Sequence, residues 1–222
     1  MRFLKENSLS LVVLVLLLGA LVGQAFAGLA LYNTEAHTAG LQEVSLWHYV
    51  LSSSFAVDLA ENWQSEYLQF TLYILLTVWL VQRGSSESKS PGKEGRESDE
   101  EQIVGASAQP DSPHAAGVGG WRTGLYSHSL VIVMGVVFLL SWGAQAVAGQ
   151  VAYNEERLRD LLDPVGFWAY LTHPDFWSRT LQNWQSELLA IGSMAVFAIY
   201  LRERGSPESK PVGMPHGSTG TE

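Results

Sequence analysis

The sequence contains no cysteine. This absence excludes disulfide frameworks, thiolate metal sites, iron–sulfur clusters and cysteine nucleophiles, and it leaves the redox compartment undefined. Basic residues are also scarce, with 13 Lys and Arg against 22 Asp and Glu and a net charge of -9. Because a nucleic-acid partner requires a basic face, we expect no nucleic-acid binding.

Catalytic and cofactor motifs are missing as well. The sequence has no P-loop, no H-E-x-x-H zinc motif, no G-x-S-x-G nucleophile elbow and no dinucleotide fingerprint. The histidines of the outer loops, His37, His48 and His173, do not stand at a metal-ligand spacing. We therefore expect a protein that is not an enzyme, with no catalytic residues, no cofactor and no metal site.

Long apolar runs are the feature that the sequence has in abundance. They cover about residues 8–31, 62–82, 127–152 and 183–201. A membrane-spanning helix needs about 20 apolar residues, a length that the first and third runs supply. The second and fourth runs reach it only if each helix extends back through a polar segment, N-W-Q-S-E. We therefore predict an all-α membrane protein with four transmembrane helices.

The chain is an internal duplication with a constant offset of 121 residues. The segment N-W-Q-S-E at 62–66 recurs unchanged at 183–187, and R-G-S-S-E-S-K at 83–89 returns as R-G-S-P-E-S-K at 204–210. Each copy holds two apolar runs, which predicts two tandem two-helix hairpins. The predicted organisation is a first repeat over 1–83, a linker over 84–120, a second repeat over 121–205 and a tail over 206–222.

The first apolar run has a second interpretation. Taken alone, Arg2 and Lys5, a Leu and Val core and the A-x-A step at 25–27 are equally typical of a cleaved secretory signal peptide. The second copy, however, carries the same A-x-A-G step at 146–149, where no signal peptide can lie. The run is therefore predicted to be a retained transmembrane helix.

Composition distinguishes the linkers from the hairpin loops. Residues 84–120 and the tail are rich in Gly, Ser, Pro and Glu, which predicts disorder. The hairpin loops carry aromatic residues, and Leu46, Trp47, Tyr49 and Val50 fit the spacing of a short interfacial helix. We predict short extracytoplasmic helices in both hairpin loops.

The distribution of basic residues predicts the orientation. Of the 13 Lys and Arg, only Arg157, Arg159 and Arg179 fall in the hairpin loops. Because basic residues favour the cytoplasmic side, both termini and the central linker are expected there. Both hairpins then point the same way, which makes this a parallel repeat.

One constellation of polar residues lies within the apolar runs. The rise of a helix puts Gln24 and Glu66 at a similar depth, roughly 22 to 24 Å from the cytoplasmic ends of their helices. One interpretation is an ion or solute site in which the carboxylates bind or relay the ion. The other is structural, with the polar groups fixing helix pairing by hydrogen bonds. The candidate cluster consists of Gln24, Asn62, Glu66, Gln145, Asn183 and Glu187.

The N-W-Q-S-E segments, the Y-N-x-E steps at 32–35 and 153–156, and the R-G-S-x-E-S-K segments resemble an uncharacterised bacterial integral-membrane family, the domain of unknown function 6766 family. The resemblance covers nearly the whole chain. It implies a location in the bacterial inner membrane and implies no activity and no functional residue.

The sequence thus favours a non-enzymatic structural or interaction component of the cell envelope, with the lipid bilayer as its environment. The alternative is a small ion or solute transporter or channel that uses Glu66 and Glu187. Four spans enclose little interior, which favours a homo-oligomer. No residue pattern identifies a protein partner.

Overall fold

The structure is a computed structural model that describes residues 2–220. Within that range all regular secondary structure is helical, so the predicted all-α class is confirmed. The ends of the predicted first repeat and tail, residues 1, 221 and 222, lie outside the described residues. The helices are α1 Arg2–Glu6, α2 Ser8–Thr38, α3 Leu46–Val50, α4 Ser53–Trp79, α5 His114–Gly117, α6 Gly120–Ser127, α7 Ser129–Arg159, α8 Phe167–Tyr170 and α9 Pro174–Tyr200, with a 3₁₀ turn at Gly105–Ser107.

The four long helices follow the offset seen in the sequence. Helices α2 and α7 have 31 residues each, and α4 and α9 have 27 each. Both α7 and α9 begin and end 121 positions after their counterparts α2 and α4. The short helices α3 and α8 lie in the corresponding loops, where aromatic spacing predicts helices.

Helices α2 and α7 extend beyond their predicted ends at residues 31 and 152. Nothing in the polar Y-N-x-E step breaks a helix, and α2 ends only where Gly40 adopts a left-handed conformation with φ 70°. There the amide of Leu41 donates to the carbonyl of Ala36 at 2.8 Å. In the second copy Leu161 takes the left-handed position with φ 58°, a conformation that strains a non-glycine residue.

Helices α4 and α9 begin well before the predicted apolar runs. Helix α9 starts at Pro174, where proline lacks only an amide that the first turn leaves unbonded anyway. The amide of Asp175 donates to Nδ1 of His173 at 3.2 Å, which caps the helix. The N-W-Q-S-E segments therefore lie inside continuous helices.

Two of the four long helices, α2 and α7, are long and apolar enough to cross a membrane. Sequence analysis predicts four such helices. Among the described residues, the other two, α4 and α9, contain no stretch of 18 residues that is apolar enough for a membrane span. The reason is the polar N-W-Q-S-E segment, since the apolar parts of these helices start only after Glu66 and Glu187.

The chain divides into two compact units. The first unit contains residues up to 60 together with 144–171, and so includes α2, α3, α8 and the second half of α7. The second unit contains residues 61–143 and 172 onward, with most of α4, the linker, α9 and the tail.

The R-G-S-x-E-S-K segments form the same turn after both α4 and α9. Gly84 and Gly205 each have a φ of 89°, which favours glycine. In the first copy the amide of Gln82 donates to Oγ of Ser88 at 2.8 Å, and the equivalent bond of the second copy is 2.9 Å long. The repeated segment therefore folds the chain back after each long helix.

The tail contacts the first of these turns, within the second unit. Lys210 is buried, and its Nζ donates to the carbonyls of Gly84 at 2.5 Å and Ser218 at 2.9 Å. The amide of Gly220 donates to the carbonyl of Ser85 at 2.9 Å. A buried ammonium needs such acceptors to offset its lost hydration. The linker and tail, whose composition predicts disorder, consist here of turns and short helices.

We expect Gly84→Ala to destabilise the protein more than Gly205→Ala. Both substitutions place alanine at a left-handed φ, at a cost of roughly 1–2 kcal/mol. Only at Gly84 would the new Cβ meet the tail, at the carbonyl oxygen of His216, and lie 3.0 Å from Cγ2 of Ile199. The additional loss is about 1–3 kcal/mol, measured by thermal unfolding and by protease cleavage of the tail. Equal losses in the two variants would contradict the contact of the tail with the turn.

Candidate functional site

In the first unit, an asparagine near the end of α2 and another near the end of α7 each bind the backbone of the following loop, an arrangement that we call the asparagine clasp. The side chain of Asn33 donates to the carbonyl of Val44 at 3.0 Å and accepts from its amide at 2.8 Å. Asn154 makes the same pair of bonds to Val165, at 2.9 and 2.8 Å. Two bonds to a single backbone residue fix both the distance and the direction of the returning chain.

A tyrosine from each short helix lies directly on a glycine. A Cβ at Gly28 would lie 2.7 Å from Cζ of Tyr49, and one at Gly149 would lie 2.6 Å from Oη of Tyr170. Only glycine permits this approach. Burial, reinforced by the charge of Asp58, raises the pKa of Tyr49, so its hydroxyl stays protonated.

Two side-chain contacts join the two copies within the first unit. Oγ of Ser53 donates to Oε1 of Glu155 at 3.0 Å. Nη2 of Arg159 donates to Oη of Tyr32 at 3.2 Å, and the same guanidinium lies 5.5 Å from the centre of the tyrosine ring. The loop regions of the two copies are therefore linked by polar and cation–π contacts.

In the second unit, polar side chains of α4 bind polar side chains of α9. Nε1 of Trp184 donates to Oε1 of Gln64 at 2.7 Å, and Gln64 is fully buried. Nη1 of Arg179 donates to Oε2 of Glu61 at 3.2 Å, forming an ion pair. Both pairs join one copy of the duplication to the other, so polar side chains link α4 to α9.

An aromatic cluster surrounds the indole of Trp184. Its centre is Trp142 of α7, whose ring lies 5.8 Å from Trp184 and stacks on Phe138 at 5.7 Å and on Phe176 at 6.0 Å. Nε1 of Trp142 points to Oγ1 of the buried Thr180 at 3.4 Å. Because Gln64 is fully buried, its bond to Trp184 lies away from water, which strengthens the bond electrostatically.

The six residues of the predicted cluster are divided between the two units. Gln24 is half-buried and Gln145 is buried, and both belong to the first unit. In the second unit the carboxylates of Glu66, which is exposed, and Glu187, which is half-buried, are close enough to repel each other.

The two asparagines of the cluster also lie in the second unit, Asn62 exposed and Asn183 half-buried. Asn183 donates to the backbone carbonyl of Arg179 at 2.9 Å, a bond within its own helix. The predicted pairing of the glutamines with the glutamates stays a prediction.

The sequence alone assigns no role to Gln64 or to the asparagines of the clasps. The recurrence of Tyr-Asn at 32–33 and 153–154 was a usable indication, because both copies make the clasp. No comparable indication existed for Gln64. Its counterpart Gln185 has the same neighbours in sequence and is nevertheless exposed.

The acids and histidines do not form a metal site among the described residues. Across residues 2–220, no group of three or more His, Asp or Glu side chains is arranged to hold a metal ion. The polar groups concentrated on α4 and α9 are amide, indole, guanidinium and carboxylate groups, two pairs of which join the helices.

Comparison with known proteins gives one match. The family model described as a domain of unknown function, DUF6766, matches residues 1–221. Neither the curated proteins nor the solved structures include a match to the chain.

A double-mutant cycle measures the bond between Gln64 and Trp184. We expect Gln64→Leu and Trp184→Phe each to lower thermal stability, and the double variant to be more stable than the sum of the two losses predicts. The coupling should be about 0.5–1.5 kcal/mol, the net contribution of one hydrogen bond.

The second copy offers a matched control for this cycle. Trp63 and Gln185 occupy the equivalent positions, but Trp63 is 43% exposed and Gln185 is exposed. The cycle of Gln185→Leu with Trp63→Phe should show coupling near zero. Similar coupling in both cycles would mean that the measured term is not specific to the buried pair.

Proposed function

The chain belongs to the DUF6766 family, whose description assigns no activity, and we propose that it is a multi-pass membrane protein with a structural or interaction role in the bacterial inner membrane. Its two most apolar helices, α2 and α7, support a membrane location. The single observation that carries the proposed role is the use of polar side chains of α4 to bind polar side chains of α9.

All four long helices span the membrane in this proposal. At about 1.5 Å per residue, the 27 residues of α4 extend roughly 40 Å, more than the hydrocarbon thickness. Polar groups are tolerated inside lipid when they bind other protein groups. The bond between Gln64 and Trp184 and the ion pair between Glu61 and Arg179 satisfy this condition.

The proposed architecture is two parallel hairpins that arose by duplication. The common offset of the helix bounds supports it, as do the recurring asparagine clasps and tyrosine–glycine contacts. Both termini and the central linker lie in the cytoplasm, and the loops with α3 and α8 lie outside, since that places most basic residues inside.

The role is proposed to be non-enzymatic. The polar groups concentrated on α4 and α9 act as hydrogen-bonding and ion-pairing partners between helices, which is a packing function. Two paired hairpins have a small interior, so a second copy of the chain or another membrane protein is the expected partner.

A second candidate function is transport of an ion or a small polar solute. Two observations favour it. The carboxylates of Glu66 and Glu187 are close enough to repel each other, which a bound cation would relieve. In addition, Nε2 of the buried Gln64 has no hydrogen-bond acceptor within residues 2–220.

Single cysteines distinguish four spans from two, because the chain has no cysteine of its own. We would place them at Glu100 in the linker and at Asp163 in the second hairpin loop, both exposed positions. With four spans, an impermeant maleimide added to intact bacterial cells should label Asp163→Cys and leave Glu100→Cys unlabelled until the membrane is opened.

If only α2 and α7 cross the membrane, the two positions exchange sides and the labelling pattern reverses. A cysteine at Thr38, exposed at the end of α2, is the control because it is external in both arrangements. Labelling of Glu100→Cys in intact cells would therefore contradict the four-span proposal directly.

A further inference from the structure

A cavity of about 620 Å³ lies within the second unit, between the C-terminal part of α4, the linker, α6 and the start of α7. Its volume is in the range of cavities that hold small organic groups. We refer to it as the linker cavity. Neither the proposed helix pairing nor the candidate transport residues use it.

The walls of the linker cavity differ in chemistry. Ile74 and Val78 of α4 and Leu130 of α7 form an apolar wall. The linker contributes a charged wall, which carries Arg96 and Asp99. An occupant that fits both walls must have an apolar part and a charged part.

Charges on the linker wall are of both signs. The guanidinium of Arg96 lies 5.9 Å from the centre of the Trp79 ring, where the cation is held over an aromatic face. Glu97 is neutralised by an ion pair with Lys89. Within residues 2–220, the ion pairs do not include Arg96 or Asp99, so a positive and a negative group remain for a ligand.

We propose that the linker cavity binds a zwitterionic aminophospholipid. The phosphate of the headgroup lies at Arg96, its ammonium lies at Asp99, and the start of an acyl chain lies along Ile74 and Leu130. This proposal rests on the proposed membrane location, in which the C-terminal end of α4 reaches the cytoplasmic leaflet. Trp79 then lies at the interface, where tryptophan is enriched.

The presence of Asp99 determines the class of lipid. An anionic headgroup would gain attraction from Arg96 but would be repelled by the carboxylate of Asp99. A headgroup with a phosphate and a primary ammonium satisfies both charges at once. A soluble headgroup without acyl chains would leave the apolar wall in contact with water.

Lipid retention by the full-length protein tests the assignment. We would purify the protein from membranes, exchange it into detergent with phosphatidylethanolamine or phosphatidylglycerol, and count bound lipid by native mass spectrometry. The parent should retain phosphatidylethanolamine preferentially. Asp99→Asn and Arg96→Gln should each lower that retention on the order of tenfold, the effect of one charge-assisted hydrogen bond.

Matched controls come from the same linker. Glu100→Gln and Lys93→Gln make the same changes of charge at exposed positions that do not line the cavity. Gly124→Leu fills the cavity without changing its charges, since a Cβ at Gly124 meets nothing within 4 Å. The filled variant should lose lipid while unfolding at the temperature of the parent, and the two controls should retain it.

Three outcomes would overturn the lipid assignment. They are equal retention of both lipids by the parent, a loss in the control variants equal to that of Asp99→Asn, and displacement of the lipid by free phosphoethanolamine at similar concentrations. Membrane fractionation separates this failure from failure of the proposed function. A protein that fractionates with membranes but retains no lipid refutes the cavity assignment alone, and a protein absent from membranes refutes both.

Discussion

The architecture depends on one constraint, that polar groups removed from water must find partners within the protein. Two long helices carry the polar N-W-Q-S-E segment before their apolar C-terminal parts. The indole of Trp184 binds the buried amide of Gln64, and Arg179 binds Glu61. These bonds join α4 to α9 through polar side chains. They also support the proposal that these helices of low hydropathy span the membrane, because some of the groups that lower the hydropathy bind each other.

Duplication supplied two copies of the N-W-Q-S-E and R-G-S-x-E-S-K segments, and the fold uses them unequally in the second unit. Gln64 is buried, whereas its counterpart Gln185 is exposed. Lys210 binds the backbone carbonyls of a turn in the first copy, whereas its counterpart Lys89 pairs with Glu97 in the linker. In the first unit, by contrast, the asparagine clasps and tyrosine–glycine contacts are the same in both copies. The unequal contacts occur where residues of one copy bind residues of the other copy. When one helix of each copy meets the other, two equivalent residues do not face the same neighbours.

Much of the fold could be predicted from the sequence, and the exceptions have physical causes. The apolar runs predicted an all-α chain, which the helices confirm. The ends of α2 and α7 could not be placed, because they depend on left-handed residues at Gly40 and Leu161, of which only the glycine is recognisable in sequence. In the candidate site, the sequence singled out the acids, two of which lie close together. It could not distinguish Gln64 from Gln185, because identical local sequences acquire different surroundings only through tertiary packing.

The central claim is that the polar residues of α4 and α9 hold helices together and do not conduct ions. The most direct measurement is the flux of protons and monovalent cations into liposomes that contain the purified protein, beside the Glu66→Gln, Glu187→Gln double variant. Our account predicts no flux above that of empty liposomes for either protein. Flux in the parent that disappears in a double variant with an unchanged unfolding temperature would contradict the account and would make the carboxylate pair a transport site.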